Sequence, residues 1–209
     1  IPFPPGGTLD VVGRMLAQKL GEQLGQTFVV ENRAGGNGTI GADAVAKSPA
    51  DGYTLLFNAS TFTTTPMTMK SVSYDVVRDF TPIALVAKAP LAVAVNKNLP
   101  FNDIKGLIAH AKANPGKLTF AIGSTGSAGN LSTELLRKAS GIEYVIVPYK
   151  GSAPAVQALA SDEVQLFFDT IPSAQNWLKQ GRVKVLVSRG NDSSIFFMFF
   201  SRWSGRTIR

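Results

Sequence analysis

Helix-like and strand-like patterns alternate along this chain from residue 9 to residue 187, and that alternation admits few folds. Helices that bury one stripe and short apolar strands are satisfied together in a largely parallel sheet flanked by helices, so the expected class is α/β. Residues 9–24 carry a helical spacing, with Val12, Met15, Leu16, Leu20 and Leu24 on one face. Thr8 is the expected N-cap and Gly25 the stop. Residues 27–31 predict a strand, 40–47 a short helix and 53–58 a strand entered through the turn Asp51-Gly52. The nearly continuous apolar stretch 82–95 reads as a crossing, with a hinge expected over 88–95. A second series follows: helices over 102–113, 130–139, 154–160 and 173–180, and strands over 117–122, 144–147, 164–168 and 183–187.

Both ends depart from this pattern. A first α/β unit starting at Ile1 lacks most of the strand that should feed the Gly6-Gly7 turn. Neither a basic leader nor an apolar core precedes it, so any signal peptide is expected to be removed already or to lie outside this sequence. From Ser188 the periodicity dissolves, and Ile195 to Phe200 form an apolar cluster too short to cross a membrane. A truncated or frame-shifted chain after about residue 187 is the expectation, with 188–209 an aberrant tail.

Composition removes several function classes. There is no cysteine, so disulfides, thiolate nucleophiles and zinc–thiolate sites are out of reach. The single histidine, His110, flanks Ile104, Leu107, Ile108 and Ala111 on a helix, an ordinary solvent-facing position, which argues against a Ser-His-Asp triad and a histidine-rich metal site. A net charge of +7 is spread over singly placed Lys and Arg rather than a stripe interleaved with aromatics. Nucleic acid is therefore not an expected partner, and the charge acts as a mild field for an anion.

Two glycine-rich turns suit such an anion. In Pro2-Phe3-Pro4-Pro5-Gly6-Gly7-Thr8-Leu9-Asp10, prolines stiffen the backbone, glycines allow close approach, and a helix N-terminus follows. Gly123 to Gly129 leaves a strand, carries hydroxyls at Ser124, Thr125 and Ser127, and opens a helix. It either holds a carboxylate or is a capped turn with no ligand. No lysine follows in P-loop spacing. Gly36-Asn37-Gly38-Thr39-Ile40-Gly41 matches a dinucleotide fingerprint, yet the next strand ends in Asn58-Ala59-Ser60-Thr61 with no acid for a ribose. A glycine-rich connection is the favoured reading. Asp169 follows an apolar strand at its C-terminal end, where it either meets a ligand amine, fixes a hydroxyl, or caps the helix near Ser173. The corner 148–154 resembles these turns, and Lys150 adds charge there or faces solvent.

These stretches, together with Val30-Glu31-Asn32-Arg33-Ala34-Gly35, Asp51-Gly52-Tyr53-Thr54-Leu55-Leu56, Asp79-Phe80-Thr81-Pro82-Ile83, Asn114-Pro115-Gly116-Lys117-Leu118, Val147-Pro148-Tyr149-Lys150-Gly151 and Phe168-Asp169, resemble the tripartite tricarboxylate transporter substrate-binding proteins, the Bug family. The resemblance runs to about Val187. It implies a periplasmic, monomeric solute receptor of two α/β lobes in the type II binding-protein arrangement, with no enzymatic activity and no cofactor. A first lobe of residues 1–88 would be incomplete, its core partly open, and a second lobe would span 89–187. A small carboxylate (a di- or tricarboxylate, or an acidic amino acid) would sit between them and pass to a two-subunit membrane permease. Carried over by motif, Phe3, Gly6, Gly7, Thr8 and Asp10 would face the ligand from one side, with Ser60 at the end of a first-lobe strand. Ser124, Thr125, Ser127, Gly151, Ser152 and Ala153 would face it from the other, with Asp169 at the edge. Asn130 stands where the family often has histidine. The alternatives are an enzyme acting on an acidic metabolite with a nucleotide cofactor at Gly36 to Gly41, and a fragment with no ligand competence.

Overall fold

The computed structural model describes residues 1–186; the expected end of the last strand at Val187 and the tail 188–209 lie outside the described residues. The second half of the chain carries the sheet. Its strands are β1 (Leu91–Asn96), β2 (Thr119–Ile122), β3 (Val145–Pro148), β4 (Leu166–Thr170) and β5 (Val183–Leu186), in the spatial order β3-β2-β4-β1-β5. β2 runs parallel to β3 and β4, whereas β1 is antiparallel to both β4 and β5. The sheet is therefore mixed, with one reversed strand near its centre.

That reversal has a geometric origin. β1 is the strand through which the chain arrives from the first half. Running against its neighbours, it starts at the edge where they end, so Leu91 pairs with Thr170 and Ala92 with Asp169. The expected hinge over 88–95 is corrected on this ground: residues from Leu91 onward form β1, in which Val93 and Val95 are buried. Any bending of the crossing stops short of β1.

Helices cover both faces, as the pattern predicts. On one face α4 (Ile104–Ala113) and α5 (Ala128–Ser140) supply Leu107, Ala111 and Leu136 to a cluster with Val93, Val95, Phe120, Leu166 and Phe168. On the other, α6 (Ser152–Ala160) and α7 (Ile171–Lys179) supply Ala155, Val156, Leu159 and Ala174 against Ala94, Ala121, Phe167 and Val183. Alternation along each strand sends neighbours to opposite clusters, as in Phe167 and Phe168.

The first half is built differently. It contains α1 (Thr8–Leu24), a 3-10 turn at Gly36–Gly38, α2 (Thr39–Ala46) and α3 (Thr61–Thr68), with no strand among the described residues before Leu91. The strands expected over 27–31 and 53–58 form no ladder, and the second opens in a bend at 53–54. The first of them exchanges hydrogen bonds with Ile1, whose amino group donates to the Glu31 carbonyl at 2.7 Å and whose carbonyl accepts from Arg33 N–H at 2.9 Å. An aromatic trio of Phe62, Tyr74 and Phe80 packs under α3, with ring centroids 4.9–5.7 Å apart. Several apolar side chains remain in water, among them Val29, Tyr53, Ile83 and Leu85.

Candidate functional site

Three helix N-termini meet at one seam. α1 starts after Gly7, α6 after Gly151 and α7 after Thr170, and none has a side chain capping its first turn. A Cβ built on Gly7 would stand 3.8 Å from the Ala153 amide nitrogen and 3.8 Å from Ser152 Cβ. The hydroxyls of Thr8 and Thr170 lie 2.6 Å apart, joining the first half to the end of β4. Gly151 packs under Phe3 and Pro4, and its N–H donates to the Gly123 carbonyl at 2.7 Å. Uncapped helix starts present N–H donors and a positive partial charge, the combination that favours an anion.

The expected site residues other than Asp10 divide into three groups. Phe3, Gly6, Gly7, Thr8, Gly151, Ser152, Ala153 and Asp169 lie at or beside the seam. The loop holding Ser124, Thr125 and Ser127 adjoins it through Gly123, and the Ser127 hydroxyl is engaged within it. Ser127 Oγ caps α5 by accepting from Asn130 N–H at 3.1 Å, and Asn130 Oδ1 accepts from Gly126 N–H at 2.9 Å. Ser127 is thus the cap that starts α5. Ser60 is exposed at the start of α3, one turn before Thr64, and its carbonyl accepts from Thr63 and Thr64.

Asp10 serves the loop that precedes it. It is buried, accepts from Gly6 N–H at 2.9 Å and from Asn32 Nδ2 at 2.9 Å, and pairs with Arg14 at 3.0 Å. Asn32 also donates to the Phe3 carbonyl at 3.0 Å. Burial pushes the Asp10 carboxyl up, but the bonds from Arg14, Gly6 and Asn32 outweigh it and hold the group below its usual value. A carboxylate so occupied braces residues 3–7 in the shape the seam requires.

Asp169 behaves in the opposite sense. It lies where β4 ends, accepts from Ser173 Oγ, and also faces the hydroxyls of Ser152 and Thr170. Desolvation raises its pKa more than these hydrogen bonds lower it. α7 begins at Ile171 with Thr170 as its N-cap, so the idea that Asp169 caps a helix near Ser173 is replaced by a side-chain bond within the first turn.

The dinucleotide motif has a packing explanation. A Cβ on Gly41 would stand 2.8 Å from the Arg33 carbonyl oxygen and 2.7 Å from Pro2 Cβ, so glycine lets α2 lie against the chain start. The ladder strand that a dinucleotide fold needs before it is missing. Two open hollows of the surface lie elsewhere, on α5 around Leu131, Leu135 and Lys138, and beside α1 around Gly21 and Phe28. They border single helices or a helix end, whereas the seam gathers donors from three. Among the described residues, no group of three His, Cys, Asp or Glu is placed to hold a metal ion, and no helix is long and apolar enough to cross a membrane.

Comparison with known proteins defines the class. A structure of periplasmic binding protein BugD aligns with a TM-score of 0.83 at 36% identity, covering 89% of this chain and 62% of that one. A protein of R. palustris with adipate aligns at 0.83 with 38% identity, covering 90% and 63%. MatC from Rhodopseudomonas palustris with bound malate aligns at 0.78 with 30% identity, covering 91% and 65%. Protein BugT of Bordetella pertussis is 40% identical over 202 residues, 94% of this chain and 61% of that protein. The family model described as the tripartite tricarboxylate transporter family receptor matches residues 12–198, and the chain belongs to that family. These relatives are transport receptors rather than enzymes. The match runs past Val187, where the recognisable motifs end. The chain spans about three fifths of the length of the relatives it matches.

Proposed function

We propose that this chain is the ligand-binding portion of a periplasmic solute receptor that captures a small carboxylate, a dicarboxylate by preference. A first lobe of residues 1–88 and a second of 89–187 close on it, and a two-subunit membrane permease receives it. The observation that carries this reading is the meeting of three uncapped helix N-termini from both halves of the chain at Gly7, Gly151 and Thr170. One helix start contributes about 0.3–2 kcal/mol toward an anion, while micromolar capture needs about 8 kcal/mol. Three starts together remain short of that, so charge-assisted hydrogen bonds from the amides of Gly7, Thr8, Ser152 and Ala153 must supply the remainder. A guest with two anionic ends uses both sides of the seam. Adipate and malate, found with relatives, are of this kind.

Thermal unfolding in the presence of adipate, malate, NAD and NADP tests the reading. At a hundredfold excess over Kd, a dicarboxylate should add about 2.7 kcal/mol and raise Tm by several degrees. A rise with NAD or NADP and none with either acid would overturn it in favour of an enzyme.

A further inference from the structure

The first half of the chain also grips the second where α3 meets the loop before α5. Asn37 Nδ2 donates to the Thr125 carbonyl at 2.8 Å, and Thr64 Oγ1 donates to the Gly126 carbonyl at 2.9 Å. Both donors are themselves held. Asn37 sits in the left-handed region at φ 57°, a conformation asparagine tolerates better than most residues. Its side chain also donates to Thr65 Oγ1 at 3.2 Å, and the buried Thr65 hydroxyl faces the Asn37 carbonyl at 3.4 Å. The two acceptors are equally fixed, because Asn130 and Ser127 tie the same loop to α5.

We infer that Asn37 and Thr64 are positioning residues that latch the two halves together and set how readily the seam closes on its ligand. The chemistry of the contact favours a latch over a permanent weld. Two polar side chains on two backbone carbonyls exchange partners with water at small net cost, whereas an apolar contact would expose greasy surface on opening. With Thr8 and Thr170 bridged elsewhere, the halves are pinned at two separated places, which restrains rotation as well as separation. The fingerprint-like motif around Asn37 thereby gains a role that needs no nucleotide.

The affinity arm of the test rests on the receptor reading above; the distance arm does not. Because the chain has no cysteine, Gln18→Cys and Lys138→Cys, both exposed, carry spin labels without background. Pulsed electron spin resonance then reads the separation of α1 from α5 without ligand. Asn37→Asp keeps the shape but turns an acceptor toward the Thr125 carbonyl, and Thr64→Val keeps the shape but removes the hydroxyl. Each should shift the closed-to-open ratio by about fivefold and the pair by roughly twentyfold, with adipate affinity weakened in step. Thr64→Ser, which retains the hydroxyl, should match the parent. An unchanged distance distribution in the double variant overturns the latch, as does a Thr64→Ser protein that opens as far as Thr64→Val. Failure of the parent to bind adipate or malate would count against the receptor reading, while the distances would still decide the latch.

Discussion

From Leu91 onward, five strands share ladders and two apolar clusters close over both faces of the sheet. Before Leu91, helices border irregular segments, and of the apolar side chains there only Pro2, Ala42 and Tyr74 are buried. The residue types of 27–31 and 53–58 suit a strand as well as those of β2 or β3 do. What they lack is a neighbour. A strand is stabilised by cross-strand partners and by burial against a second layer, so a strand pattern without either stays extended and wet. The first half is accordingly held by particular polar ties, such as Asp10 with Arg14 and Asn32, where the second half is held by packing.

The strongest way to break this contrast is Phe120→Ala. Phe120 is wholly buried between Tyr144 and Phe168, so its truncation should cost about 3–5 kcal/mol in denaturant unfolding. A loss under about 1 kcal/mol would mean the sheet is not the stable unit. A smaller effect separates the two carboxylates by pH. Asp10, in the first half, has a depressed pKa in the folded chain, so its stabilisation is complete above the unfolded value and fades as pH falls through the folded one. Asp169, in the second, has a raised pKa, so its favourable protonated state is complete below the unfolded value and is lost as pH rises through the folded one. Asp10→Asn should flatten the acid limb of a Tm–pH curve, and Asp169→Asn should raise Tm at neutral pH with the gain vanishing in acid. The reverse assignment of limbs would refute these environments. The smallest effect is expected from Tyr53→Ser, since Tyr53 is 92% exposed. Its unfolding free energy should stay within about 0.5 kcal/mol of the parent. A loss of 2 kcal/mol or more would show that Tyr53 is covered in solution.

Periodicity recovered what is local. The helix expected over 9–24 begins one residue earlier, and those expected over 102–113, 130–139, 154–160 and 173–180 are all present with shifted ends. The shift at α1 matters, because Gly7 rather than Thr8 is the N-cap, which leaves the Thr8 hydroxyl for Thr170. α3 escaped notice: Thr61–Thr68 is threonine-rich and contains Pro66, a poor helix former by propensity. Thr64 and Thr65 within it are tied from outside, to Gly126 and Asn37. Strand direction was also invisible, since an apolar run reads alike in either sense, and β1 proved reversed. At the site, the glycine turns announced themselves, and residues acting by reach did not. Asn32, Asn37 and Thr170 look like ordinary loop polars until folding brings them to Asp10, Thr125 and Thr8.

The reversed strand has a mechanical corollary. A tug transmitted along the linker from the first half reaches the sheet at Leu91, opposite Thr170 and one residue from the Asp169 register pair. Strain carried that far enters the sheet at the edge where β4 ends and α7 begins. A displacement of the first half is thus delivered beside Asp169 and Thr170 rather than to the interior of the sheet.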